Sequence, residues 1–241
     1  MTNCEDLTND ASCAKPCVPQ AANDLPDIPL VAISGYPGTG KTILIEKLVA
    51  ELKGRGYQVA TIKHTHHTLG DPGKDTERHL GSGATASLLV ADERMVLAKP
   101  TTHPPSIKEM TRLLRNDYDL IICEGFKDSN LPKIALVRNA EELHGMSCVI
   151  GIIADTPLSQ NAPCFSRDNI IPIADLLEQE YILPQSGRIS VFVNGEPIPL
   201  LPFPKAAITR SITGLLSALK GVENIQHLEI TIAHPKQITK P

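Results

Sequence analysis

Residues Gly35-Tyr36-Pro37-Gly38-Thr39-Gly40-Lys41-Thr42 carry the spacing G-x-x-x-x-G-K-T, the pattern of a loop that wraps a polyphosphate in backbone N–H groups. Such wrapping needs glycine where a Cβ would intrude or where φ must be positive, and Gly35, Gly38 and Gly40 stand at those points. Lys41 would reach the β- and γ-phosphates as a compact charge. The Thr42 hydroxyl would hold a Mg²⁺ that also touches the nucleotide. A glycine-rich turn that binds nothing is the plain alternative, and the register of Lys-Thr together with both flanks argues against it.

Such a site normally takes a second carboxylate from the end of a neighbouring strand, and Asp119-Leu-Ile-Ile-Cys-Glu124-Gly125 offers one. Glu124 stands where the strand should end, whereas Asp119 begins it and lies at the far end. Lys41 and Glu124 are therefore the expected catalytic pair, with Thr42 and Glu124 as the expected Mg²⁺ ligands. A strand-end acid that simply faces water is the alternative.

A third cluster follows the second apolar run: Lys63, His64, His66 and His67, then Lys74, Asp75 and Arg78. Adjacent histidines on an extended segment point opposite ways, so joint metal ligation is awkward. A second anion or cofactor site uses these residues better, with lysine and arginine supplying charge and imidazoles donating hydrogen bonds. A solvated polar loop stays open.

The elements that must position these groups are legible as alternating apolar runs. Pro29 to Ser34 reads as a buried strand feeding the glycine loop. Ile45, Leu48, Val49 and Leu52 mark a helix over Thr42 to Lys53, so bound phosphates would meet a helix N-terminus. Further strands are expected at Tyr57 to Lys63, Asp119 to Cys123, Lys133 to Val137 and Cys148 to Ala154, with helices at Ser106 to Arg115 and Ile173 to Tyr181. Thr85 to Val90 and Arg94 to Ala98 lie so close that an antiparallel hairpin is expected, making the sheet mixed but mainly parallel. The pattern predicts an α/β layered domain of the P-loop NTPase type over 28–184.

A linker near Pro184 to Gly187 precedes a small ββαβ unit over 188–233. Its parts are a hairpin about Asn194-Gly195, a helix marked by Ile208, Ile212, Leu215, Leu216 and Leu219, and a last strand at Gln226 to Ile232. Pro197 and Pro199 confine the second hairpin strand to an edge.

The chain has 241 residues, 41% of them hydrophobic, and a net charge of −4, which fits a globular protein and gives no sign of a nucleic-acid or membrane surface. The first residues, MTNCEDLTND, lack the basic start and apolar core of a signal peptide, so a cytoplasmic setting without disulfides is expected. Cys4, Cys13 and Cys17 fall in a polar segment, 1–27, expected to be a disordered tail. A metal site there would lack a fourth ligand. Cys123, Cys148 and Cys164 read as core residues.

The loop GYPGTGKT, the run IKHTHH (Ile62 to His67), GKDTERHLGSGA (Gly73 to Ala84) and DLIICEGFK (Asp119 to Lys127) with Pro132-Lys-Ile134 occur in that order. Together they resemble the molybdopterin-guanine dinucleotide biosynthesis protein B (MobB) family of P-loop proteins, over roughly Val31 to Leu158. The resemblance implies GTP binding, slow GTP hydrolysis with Mg²⁺ and a homodimer. It also implies an accessory role beside the molybdenum cofactor guanylyltransferase that attaches GMP to molybdopterin, forming its guanine dinucleotide. The His/Lys loop would then lie near the cofactor or partner site. No N-K-x-D or T-K-x-D signature for guanine is present; Asp155, after the last strand of the domain, is the candidate acceptor for the guanine N1 and N2 donors. Two other functions compete. A GTP-driven metal chaperone would use the loop histidines and tail cysteines, and a small-molecule kinase or ligase would hold its acceptor with Lys127, Lys133 and Arg138.

Overall fold

The run LVAISG forms strand β1 (Leu30–Gly35), buried along nearly its whole length. Because successive side chains point to opposite faces, a run apolar at every position must be covered on both sides, which suits a central parallel strand. β1 lies between β5 (Leu120–Glu124) and β6 (Lys133–Leu136) and runs parallel to both. β2 (Val59–Lys63) pairs outside β5, while β7 (Val149–Ile153) and β8 (Cys164–Phe165) extend the sheet beyond β6. The order β2-β5-β1-β6-β7-β8 brings the carboxyl ends of all six strands to one edge. The computed structural model describes residues 28–65, 73–114, 118–155, 158, 162–185, 191–193, 196–198, 202–220, 228 and 230.

Helices cover both faces. On one, Leu44, Ile45, Leu48 and Leu52 of α1 (Lys41–Gly54) and Ile173, Ala174 and Leu177 of α4 (Ile171–Leu177) pack on Val31, Ile33, Leu120, Ile122, Ile134 and Ile153. On the other, Leu30, Ala32, Ile121 and Cys123 form a second cluster with Ile107 of α3 (Ile107–Leu113) at its margin. A capping box starts α3: Ser106 accepts from the Glu109 N–H, and the Glu109 carboxylate accepts from the Ser106 N–H at 2.8 Å. Arg55 joins the end of α1 to α4 by bonds of 2.8 Å to Asp175 and 2.6 Å to Glu178, and the Tyr57 hydroxyl also donates to Glu178. The Tyr57 and Arg55 bonds hold the Glu178 carboxyl below its ordinary range. A turn of π-helix, Glu178–Ile182, continues α4.

The structure corrects two expectations here. The hairpin of β3 (Ser87–Ala91) and β4 (Arg94–Ala98) forms as an antiparallel pair, but it is a separate two-stranded sheet. The six-stranded sheet is therefore parallel throughout, because the short connection satisfies the ladder of β3 and β4 locally. Cys164 is exposed at the sheet edge in β8, while Cys123 and Cys148 are buried as expected. Burial pushes the Cys123 thiol up to about 12, which leaves it inert as a nucleophile.

The chain divides into two compact units, Met1–Gly187 and Arg188–Pro241. In the second, β9 (Val191–Val193) pairs antiparallel with β10 (Glu196–Ile198), Val193 opposite Glu196, and α5 (Pro202–Ser217) follows. The turn residues Asn194 and Gly195 and, apart from Leu228 and Ile230, the expected strand at 226–232 lie outside the described residues. So does the cysteine-bearing segment 1–27. Among the described residues no helix is long and apolar enough to cross a membrane.

Candidate functional site

The glycine loop leaves the carboxyl end of β1 at Gly35, pressed against β6. A Cβ there would come within 2.4 Å of the Leu136 carbonyl oxygen, so only glycine lets the loop root sit so close. Gly38 and Gly40 take φ of 76° and 89°, the left-handed region that glycine enters without a steric penalty. The Tyr36 carbonyl accepts from the Thr39 hydroxyl and from Lys41 Nζ, each at 2.8 Å, and Lys41 Nζ donates also to the Gly35 carbonyl. The ammonium is thus folded over the loop, where phosphate oxygens could take the place of the two carbonyls. The first bond of α1 runs from Leu44 N to the Gly40 carbonyl. The amides of Lys41, Thr42 and Ile43 precede it and offer an anion the donors of a helix N-terminus.

Register places Glu124 beside the loop. It is paired with Ile33 of β1 on one side and with Lys63 of β2 on the other. The Thr42 hydroxyl donates to Glu124 Oε1 at 3.2 Å, and Lys63 Nζ lies 3.3 Å from the same oxygen. Hydroxyl and carboxylate oxygens are the donors a hard cation prefers, so Thr42 and Glu124 fit a Mg²⁺. Asp119, at the other end of β5, accepts from the Gln58 N–H and pins the start of β2 instead. After Glu124 the chain turns sharply: Gly125 and Phe126 have φ of 99° and 54°. Ser34 Oγ donates to the Gly125 carbonyl at 2.6 Å, sewing this turn to β1.

The seven residues of the expected second site are divided. Lys63 and His64 sit at the end of β2, Lys63 paired with Glu124 and the His64 ring 5.5 Å from Phe126. Lys74, Asp75 and Arg78 lie on α2 (Lys74–Gly81), where exposed Arg78 pairs with Asp75 of the same helix at 3.6 Å. His66 and His67 lie outside the described residues. Among the described residues no group of three or more His, Cys, Asp or Glu side chains could hold a metal ion.

Two of the three cations assigned to a kinase or ligase acceptor are otherwise engaged. Lys133 is fully buried, and its Nζ donates to the carbonyls of Lys127 and Ser129 at 3.0 and 2.5 Å. A buried ammonium is tolerable only with such acceptors, so Lys133 holds the loop after β5 rather than a substrate. Arg138 is bound to Glu142 at 2.6 Å. Lys127 reaches the glycine loop, its Nζ 3.2 Å from the Tyr36 hydroxyl and 4.3 Å from the centre of that ring. Sequence reasoning missed Arg167, which donates to the Thr39 carbonyl at 2.7 Å and lies 2.8 Å from Asp155. It follows a strand of two residues, too short to show any periodicity.

The sequence profile of a family described as "Molybdopterin guanine dinucleotide synthesis protein B" matches residues 30–155, a span that holds the glycine loop, Glu124 and Asp155. The molybdopterin-guanine dinucleotide biosynthesis adapter protein of Haemophilus influenzae is 36% identical over 157 residues, which cover 63% of this chain and 88% of that protein. The protein of the same name from Escherichia coli is 33% identical over 173 residues, covering 66% of this chain and 97% of its own. A crystal structure of molybdopterin-guanine biosynthesis protein B superposes with a TM-score of 0.53 at 24% identity, over 61% of this chain and 95% of that one. This last likeness concerns the fold.

Proposed function

The chain belongs to the molybdopterin guanine dinucleotide synthesis protein B family and takes part in molybdenum cofactor biosynthesis, and within that role we propose that it is a GTP-binding adapter. It assists the guanylyltransferase that turns molybdopterin into its guanine dinucleotide form and hydrolyses GTP slowly with Mg²⁺. The observation that carries the nucleotide part is the convergence of Thr42 and Lys63 on Glu124 at the end of a glycine loop over which the Lys41 ammonium is folded. The loop amides and Lys41 take the charge of the β- and γ-phosphates. Thr42 and Glu124 would hold Mg²⁺, which neutralises phosphate charge when bound. Lys63 keeps the Glu124 carboxylate turned toward Thr42. Asp155, at the end of β7, accepts from the N1 and N2 donors of guanine.

The homodimer belongs to the same proposal. Leu88, Leu89, Val90, Met95, Val96 and Leu97 of the hairpin are 43 to 71% exposed. A two-stranded sheet apolar on both faces is marginal alone, and a second copy would cover it by the symmetry most oligomers adopt.

Binding of GTP, ATP and molybdopterin to one preparation, wild type and Lys41→Ala, tests the assignment. The variant should keep its fold and lose at least about tenfold in GTP affinity, the cost of a charged hydrogen bond. Undiminished GTP binding by the variant would overturn it.

A further inference from the structure

We propose that Arg167 is a specificity-determining positioning residue of the nucleotide site: it fixes the Asp155 carboxylate at the nucleoside end and ties it to the phosphate-binding loop. This rests on Asp155 being the guanine acceptor. Arg167 is placed by the sheet. β8 pairs with β7 through Cys164 and Phe165, and the Phe165 ring lies so close to Gly151 that a Cβ there would stand 2.9 Å from it. With the ring packed against the main core, the chain is pinned at the sheet edge, and Arg167 reaches back from it over the loop.

Its guanidinium makes two ties. NH1 donates to the Thr39 carbonyl at 2.7 Å and passes 3.8 Å from where a Cβ on Gly40 would be. Nε lies 2.8 Å from Asp155 Oδ1, yet its N–H is not aimed along that line, and it is buried without a hydrogen-bond acceptor. An orphan donor on a charged group costs free energy unless something realigns it. A ligand that draws Asp155 into line would do so.

The site also has a direction. Thr42, Glu124 and Lys63 lie toward β5 and β2, whereas Asp155 and Arg167 lie at the ends of β7 and β8, on the other side of β1. A polyphosphate whose metal-bearing end meets Thr42 and Glu124 therefore presents its nucleoside to Asp155 and Arg167. A carboxylate has about four lone-pair sites, so Asp155 can hold Arg167 and still accept two donors of a guanine edge. Adenine offers an acceptor at N1 and meets the carboxylate unfavourably. Asp155 is 68% exposed, and without the guanidinium it would turn to water and lose its aim.

The test is the affinity of the intact chain for GTP, ATP and inorganic triphosphate with Mg²⁺, in wild type, Arg167→Ala, Arg167→Gln, Asp155→Asn and the double variant Arg167→Ala/Asp155→Asn. Both Arg167 variants should lower GTP affinity about tenfold and change ATP and triphosphate by less than about threefold, since the Asp155 carboxylate loses its aim and with it one charge-assisted contact to the base edge. Asp155→Asn should do the same, and the double variant should be no worse than either single one. Equal losses for all three ligands would overturn the proposal, for Arg167 would then serve the phosphates or the fold. Loss of GTP preference in Asp155→Asn but not in the Arg167 variants would overturn it while leaving Asp155 as the guanine acceptor. If neither Asp155→Asn nor the Arg167 variants change the preference, the guanine assignment itself fails and takes this proposal with it.

Discussion

β5 and β3 are both five-residue strands rich in apolar side chains, LIICE and SLLVA, and they end in opposite surroundings. Leu120, Ile121, Ile122 and Cys123 are fully buried, whereas Leu88, Leu89 and Val90 are 54, 47 and 67% exposed. β5 has a strand on each side and helices on both faces; among the described residues β3 pairs only with β4 and has the short helix α2 alongside. Apolar composition makes a strand in both cases. What makes a core is the number of neighbours, and that depends on connections. The link through Asp92 and Glu93 lets β3 pair at once with β4, while each parallel pairing of β5 needs a long crossover with a helix to cover it. The buried strands hold the site rigid, and the hairpin presents surface.

That contrast can be broken by substitution. Ile122→Ala should cost about 2–5 kcal/mol in urea or thermal unfolding, because it opens a cavity under α1. A loss below about 1 kcal/mol would mean the parallel sheet is as loosely packed as the hairpin. Gly35→Ala should cost about 1–3 kcal/mol, since its Cβ must push the Leu136 carbonyl away, and should reduce GTP affinity along with stability. Wild-type titration curves from that variant would contradict the tight loop root. Val90→Ser should change the stability of the monomer by no more than about 0.5 kcal/mol. In sedimentation it should shift a self-associating chain toward monomer, and an unchanged distribution would remove the hairpin from the dimer proposal.

Legibility followed sequence distance. The glycine loop could be read because its residues are consecutive, and Glu124 because an acid that ends a buried run stands out from it. Arg167 could not, since it meets Thr39 across 128 residues and follows a strand too short for a pattern. Lys133 carried a charge that looked available to a substrate; only the fold shows the carbonyls of Lys127 and Ser129 around it. The hairpin strands were legible, but their separation from the main sheet was not, because alternation of side chains says nothing of which edge a strand joins.

Lys133 has one more consequence. It stands opposite Ala32 in the register of β1 and β6, and its ammonium grips the chain that carries Lys127. Together with the Ser34 bond to the Gly125 carbonyl, it ties the segment that sets Lys127 beside Tyr36 to the sheet. A side chain usually valued for its charge serves here as a tether, and shortening it by even one carbon should loosen the rim of the loop.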